Sequence, residues 1–407
     1  MRIAGKSSSM AEFGCEAASG RDKDHLLHLT IPHQYFGLGF CMTLNWKWED
    51  NMYQIWPWGL IFPCDWVPKE QAYTYRNQAL LSGLLHPQVE LPATVVVFPR
   101  GHWIGEEGGK EHLARLEWVM REMVERHVPF AMIDEPDLAK LPAGTKLLIY
   151  PTHRTTTSHD LAQIRRCAPA TTILALAEGP EWPLSGEGVV CVPYTRDRFA
   201  SALETMIEGG SAERIDVSPA RRDVHAMRLA CDEGTAYVFV PETHGEWYSD
   251  IRDWSRETKH LVLGHEGHRV GTTLAGLSTG MLILSDEGEI LGAEAQGEVT
   301  LDGETVCHIE GHAMLYALDG ADLRRSQAVL VLPIRPGTIR LRSRNDWLSI
   351  GTPSGGRWVC HECVTVGDQA GWIEFDVDSD RARSLMLLST QGEWRSAVVR
   401  FERQIAR

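Results

Sequence analysis

A chain of 407 residues exceeds one ordinary hydrophobic core, and at roughly 150 residues per domain it predicts two to four domains. Its 43% hydrophobic and 23% charged residues are those of a soluble globular protein. A formal net charge of −15, with no Lys/Arg-rich stripe to overrule it, excludes nucleic acid as an expected partner.

No run approaches the roughly 18 apolar residues of a membrane span, and Met1 to Ser9 lacks the apolar core of a signal peptide. The expectation is a cytoplasmic protein without a membrane partner. Nine cysteines, an odd number, fit reduced thiols better than a disulfide framework. Only Cys360-His361-Glu362-Cys363 has ligand-like spacing. No second Cys or His pair stands near enough to complete a tetrahedral site, so a strand with buried thiols is expected there and no metal.

Residues 10 to 82 read as a piece of an α/β arrangement. Ala11 to Cys15 can be a short strand carrying Glu12 at its end. Asp24 to Tyr35 has helical spacing, and Gly37 to Trp46 is an apolar run of strand length. Strand, helix, strand is the unit of a parallel sheet or barrel. A Trp- and Pro-rich loop follows. The helix expected over Lys69 to Leu85 has Tyr73, Tyr75, Leu80, Leu81, Leu84 and Leu85 as inner positions, and Pro87 and Pro92 mark a boundary.

Residues 91–220 predict an open parallel α/β domain with helices on both faces. Its strands are Thr94 to Pro99, Pro129 to Asp134, Lys146 to Tyr150 and Thr171 to Ala177. Its helices are Lys110 to His127, Ser158 to Cys167 and Arg198 to Glu208. From about residue 224 short alternating strands broken by Asp-Gly and Pro-Gly turns predict an all-β, sandwich-like region over 221–345. Expected strands include Thr235 to Val240, Gly280 to Leu284, Ile290 to Glu294, Gly297 to Leu301, Ala313 to Ala317 and Ala328 to Leu332. Strands from Trp358 to Phe401 are assigned to a small C-terminal β region, 346–407.

The chemistry concentrates near the N-terminus. Trp46, Trp48, Trp56, Trp58 and Trp66 are five of the chain's 14 tryptophans. A flat indole can stack on the C–H face of a pyranose while its N–H donates to a hydroxyl. Asn45-Trp46-Lys47-Trp48-Glu49-Asp50 interleaves rings with polar groups, as a ligand surface does and a core strand does not. Glu12 at a strand end supplies a carboxylate, but retaining glycoside hydrolysis needs two, a nucleophile and an acid/base roughly 5 Å away. Glu16, Glu49 and Asp50 are the nearby candidates for the second. Elsewhere, Glu294-Ala295-Gln296-Gly297 and Gly311-His312-Ala313-Met314 read as strand and turn positions, with packing against the barrel and neighbouring subunits preferred over carbohydrate binding.

Ala11-Glu12-Phe13-Gly14, Leu44-Asn45-Trp46-Lys47-Trp48, Ile55-Trp56-Pro57-Trp58-Gly59-Leu60 and Arg76-Asn77-Gln78 together resemble the last two strands and exit segment of a β-galactosidase-type (β/α)8 barrel, that of the family 42 glycoside hydrolases and their clan relatives. The resemblance implies a barrel remnant over 1–90, then an amidotransferase-like trimerisation domain and C-terminal β domains, hence a homo-oligomer. An isologous dimer fits the composition equally. The resemblance implies Glu12 as nucleophile and Trp46 and Trp48 as an aromatic subsite wall, and with the residues around them the expected substrate-binding set is Asn45, Trp46, Trp48, Glu49, Trp56 and Trp58, for a carbohydrate substrate with no cofactor. The family's Asn-Glu acid/base pair matches nothing in this sequence. A full barrel takes about 250 residues, so the expectation is a truncated form, inactive in isolation. The alternative is a non-catalytic oligomerisation or carbohydrate-binding protein derived from such an enzyme.

In the middle domain, a Cys nucleophile would sit on a strand-to-helix turn after Leu147-Leu148-Ile149-Tyr150. The sequence there is Pro151-Thr152-His153-Arg154, and Cys167 and Cys191 lie outside any such elbow. The domain reads as a catalytically silent interaction module, with His153 and His159 as surface or capping residues.

Overall fold

The computed structural model describes residues 8–13, 33, 36–37, 40–45, 47–49, 59–61, 68, 70–88, 91–98, 109–152, 162, 164–166, 170–177, 188–241, 257–344, 347–354, 357–365, 371–377 and 385–389. It combines a parallel sheet with a large antiparallel one. The chain forms two compact units. One comprises Glu90–Ile215 with Met1–Ser7, the other Ser8–Val89 with Asp216–Arg407.

The second unit opens with β1 (Ser8–Phe13), β2 (Phe40–Asn45), β3 (Lys47–Glu49) and β4 (Gly59–Ile61), then helix α1 (Glu70–Leu85). β1 pairs with β2 and β3 with β4, both in parallel. The expected parallel pairing around Glu12 is therefore present. The expected tryptophan-rich loop carries two short paired strands.

The first unit follows with β5 (Thr94–Phe98), α2 (Gly109–Glu125), β6 (Ala131–Asp134), β7 (Leu147–Pro151), β8 (Thr172–Ala177), β9 (Val189–Pro193) and α3 (Arg196–Glu208). Its five strands are all parallel in the order β6-β5-β7-β8-β9. The first strand of this unit therefore lies inside the sheet, as in doubly wound folds. An apolar run such as Thr-Val-Val-Val-Phe is buried on both faces in such a sheet. Val96 packs with Leu116, Val119 and Met123 of α2 and with Phe199 and Leu203 of α3. Val95 and Val97 face the opposite layer, with Leu138 and Ile164. Glu122 and Glu125, buried on α2, are held by Arg121, Arg126 and Arg196, so the helix pair α2–α3 is cross-linked by charge as well as by the apolar stripe.

The rest of the second unit is antiparallel and built in one continuous sheet of 14 strands. The strands are β10 (Val217–Ser218), β11 (Val224–Cys231), β12 (Gly234–Pro241), β13 (Lys259–His265), β14 (His268–Leu274), β15 (Gly280–Leu284), β16 (Ile290–Leu301), β17 (Glu304–Ala317), β18 (Ala328–Arg335), β19 (Gly337–Arg342), β20 (Trp347–Ser354), β21 (Arg357–Thr365), β22 (Trp372–Val377) and β23 (Leu385–Ser389). β20, β21 and β23 continue the same sheet from the β18 edge.

Its spine is the hairpin of β16 and β17, 12 and 14 residues long. The first half of β16 pairs with β15 and its second half with β14. Likewise β17 pairs first with β19 and then with β18. The hairpin thus passes from one layer to the other, as strands do at the corners of a sandwich. Register shifts at Ala295/Gly297 and His312/Ala313 place bulges at the corner. The sequence expectation of two strands, Ile290 to Glu294 and Gly297 to Leu301, is corrected here. Gly297, at φ +131, makes a bend in one strand and does not end it.

α1 packs on this corner. Leu81, Leu84 and Leu85 enter the core with Phe36, Met281, Met314, Leu330 and Leu332. The first turns of α1 bury polar Thr74, Asn77 and Gln78, where Tyr73 and Tyr75 had been expected. The reason is a match to β18. Asn77 donates to the Leu332 carbonyl at 3.0 Å and Arg76 to that of Pro333 at 2.9 Å.

The corner predicts a strict requirement at Gly311. A Cβ there would meet the backbone oxygens of Pro336 at 2.4 Å and Arg335 at 2.6 Å. Gly311→Ala is expected to destabilise the chain by about 3 kcal/mol. At Gly303, left-handed but with open space around it, the same change is expected to cost about 1 kcal/mol. Urea unfolding of both variants measures the difference, and equal midpoints would refute the corner as a rigid point.

Candidate functional site

Two places bear on function. The first is the end of the β1–β2 pair. Glu12 stands one residue short of the end of β1, whose last residue, Phe13, is opposite Asn45, the last residue of β2. In a parallel pair both strand ends lie on the same side, which is where barrels collect functional groups. Trp48 and Glu49 follow on β3, and Glu49 is opposite Ile61. Trp46, Trp56 and Trp58 lie outside the described residues, as do Glu16 and Asp50. The backbone thus brings the positions of Glu12 and Asn45 together.

The second place is Glu294 and His312, where the sequence favours packing over carbohydrate binding and the structure shows a defined buried polar cluster. Glu294, on β16 at the corner, has no exposed surface, and His33 beside it has none either. Its Oε1 accepts from His33 Nε2 at 2.7 Å, from His312 Nε2 at 3.0 Å and from the Thr279 hydroxyl at 3.0 Å. Burial by itself would raise this carboxyl. The charge of His33 and the hydrogen bonds from His312 and His33 outweigh burial and hold it well below the usual carboxylate range. Glu294 Oε2 and His33 Nδ1 have no hydrogen-bond partner among the described residues. Beside this cluster, Arg335 is opposite His312 in the β17–β18 register and grips both carboxylate oxygens of Glu70, the first residue of α1.

Local signals could not have named the partners in this cluster. Glu294 is one carboxylate within the apolar run Ile-Leu-Gly-Ala-Glu-Ala, and its partners come from the residue before β15, from β17 and from a distant segment. A charge inside such a run is itself the clue, because a buried carboxylate must find donors.

Among the described residues no group of His, Cys, Asp and Glu could hold a metal ion. Cys360-His361-Glu362-Cys363 lies on β21 as expected of a strand. In the α/β unit, the elbow position after β7 is taken by Thr152, fully buried, whose hydroxyl donates to the Leu176 carbonyl at 2.6 Å. Cys191 lies mid-strand on β9, while Cys167, His153 and His159 fall outside the described residues. No described helix is long and apolar enough to cross a membrane.

No family model matches the chain, and no curated protein matches it in sequence. Solved structures do. A GH42 β-galactosidase from G. stearothermophilus, solved as a catalytic mutant, aligns with TM-score 0.48 and 10% identity over 62% of this chain and 50% of that one. The cold-adapted β-galactosidase from Rahnella sp. R3 gives TM-score 0.48 and 11% identity over 68% and 54%. A polyextremophilic β-galactosidase from Halorubrum lacusprofundi gives 0.35 and 12% over 96% and 54%. The chain aligns with part of each of these glycoside hydrolases. It spans about half their length. At such identities and scores the likeness assigns no role to any residue.

Glu294 carries a pH prediction. A carboxyl held below its unfolded value, about 4.3 for Glu, contributes stability that is present above that pH and is lost as pH falls. Glu294→Gln removes that contribution and leaves two imidazoles facing a neutral amide. It is expected to cost about 3 kcal/mol at pH 7. The difference from the unmodified chain should narrow below about pH 4. Urea midpoints across this range decide it, since two parallel curves would show that Glu294 is not ionised in the folded chain.

Proposed function

We propose that this chain supplies the nucleophile side of a retaining glycoside-hydrolase site of the β-galactosidase kind. Glu12 is the nucleophile, and Asn45, Trp46, Trp48, Glu49, Trp56 and Trp58 form the sugar-binding wall. The observation that carries the reading is the parallel β1–β2 pair, which sets the Glu12 end of one strand beside Asn45, where the tryptophan stretch begins.

The chemistry is a double displacement. The Glu12 carboxylate attacks the anomeric carbon, a carbon–oxygen ester bond forms and the glycosidic bond breaks. The departing oxygen takes a proton from an acid/base carboxyl, and water later releases the sugar. No residue of this chain is assigned the acid/base role. Hydrolysis of ordinary glycosides therefore needs a second carboxyl from elsewhere, and the chain alone is expected to be inactive on them. The α/β unit has no part in the reaction and serves association between copies of the chain.

An activated leaving group separates the two halves of the mechanism, because a dinitrophenolate departs without a proton. Incubation with dinitrophenyl 2-deoxy-2-fluorogalactoside should add one fluorosugar to the peptide carrying Glu12, read by mass spectrometry. Glu12→Gln should take up none. A chain that stays unlabelled, or a variant labelled as well as the parent, refutes the assignment. Nitrophenyl galactoside should meanwhile turn over at background rate with both proteins.

A further inference from the structure

The aromatic stretch is entered from His33, Phe36 and Gly37 and left through α1. Both ends stand on the same corner of the antiparallel sheet. On the entry side, His33 donates to Glu294 of β16, which also receives His312 of β17, and Phe36 is buried in the core with Met314 and Leu332. On the exit side, Glu70 is held by Arg335 of β18, while Asn77 and Arg76 donate to the carbonyls of Leu332 and Pro333. His312 and Arg335 are opposite each other across β17 and β18, so the two feet rest on neighbouring positions. Arg335 also reaches Gln296 of β16 at 3.5 Å.

We propose that Glu294 and Arg335 are positioning residues for the sugar site, clamping the entry to β2 through His33 and the exit from β4 through Glu70. The proposal rests on the sugar-site reading above, but the clamp itself can be measured apart from it. A stretch rich in indoles binds a sugar well only if its ends are fixed, since ordering it at the moment of binding would cost conformational entropy. Ion pairs and hydrogen bonds inside a buried corner fix direction as well as distance, which apolar contact alone does not. Thr279 and His312 keep Glu294 satisfied when His33 is altered, so the entry foot can be removed without stripping the sheet of its own bonds.

The test uses the full chain with His33→Leu, Glu70→Ala and the conservative His33→Gln, which keeps an N–H donor. Hydrogen exchange of the β2 amides, Phe40–Asn45, should rise about tenfold in His33→Leu, the scale of one lost hydrogen bond to a charged group. Exchange in β12 and β15 should not change. His33→Gln should restore most of the protection, and Glu70→Ala should raise exchange in β4. The maximal rate of Glu12 labelling by the fluorosugar should fall in step with the loss of protection.

Unchanged exchange in β2 and β4 overturns the clamp. Raised exchange with an undiminished labelling rate overturns the positioning role. An unmodified chain that takes no label, with the exchange response present, overturns the sugar-site reading and leaves the clamp standing.

Discussion

Placing a carboxylate where water cannot reach it is costly, and the structure around Glu294 is arranged to meet that cost. Three donors, Thr279 just before β15, His312 of β17 and His33, converge on one of its oxygens. They do so at the bend where β16 and β17 cross between the layers of the antiparallel unit. Apolar residues of similar size could fill that space, and often do so with equal stability. What they could not do is specify which segment lies against the bend, and with which residue. The polar corner gives the unit a single docking register for its N-terminal part, and α1 repeats the device with Glu70, Arg76 and Asn77 on β18.

This ordering links the antiparallel unit to the proposed chemistry. β1 and β2 are a pair of strands that could not bury much surface alone. They belong to the same compact unit as residues 216–407. The proposed nucleophile Glu12 and Asn45 lie on these two strands, and the chain before β2 and after β4 is held to the antiparallel sheet through His33 and Glu70. The α/β unit is stabilised separately, by two apolar layers and by the carboxylates of α2 held among arginines.

Much of the architecture was legible in the sequence, for identifiable reasons. Thr94 to Phe98 is unbroken apolar and β-branched, and only a strand buried on both faces needs that. Gly280 to Leu284 was likewise bounded by residues that leave no other choice. Where the reading missed, the local rule was overruled by a distant partner. Gly297 reads as a strand end because glycine commonly interrupts strands, whereas β16 runs through it while its partner on one side changes from β15 to β14, which no local pattern reports. Tyr73 and Tyr75 looked like inner positions of α1 because aromatic residues are more often buried than amides. Asn77 and Gln78 took those places, and Asn77 did so because the Leu332 carbonyl was there to receive it. Glu12 and Asn45 were legible as ends of two parallel strands, while the partners of Glu294 were not legible, since they come from distant parts of the chain.

The separation of His33 from Glu294 by 261 residues has a consequence for how the chain is made. At 5–20 residues per second, synthesis of that interval takes on the order of 10–50 s. Throughout it the N-terminal segment exists without the sheet that is to receive it, while the strands and helices of the α/β unit, residues 94–208, follow one another in the chain and can pair as they emerge. The tryptophans and Phe36 are therefore apolar surface in waiting.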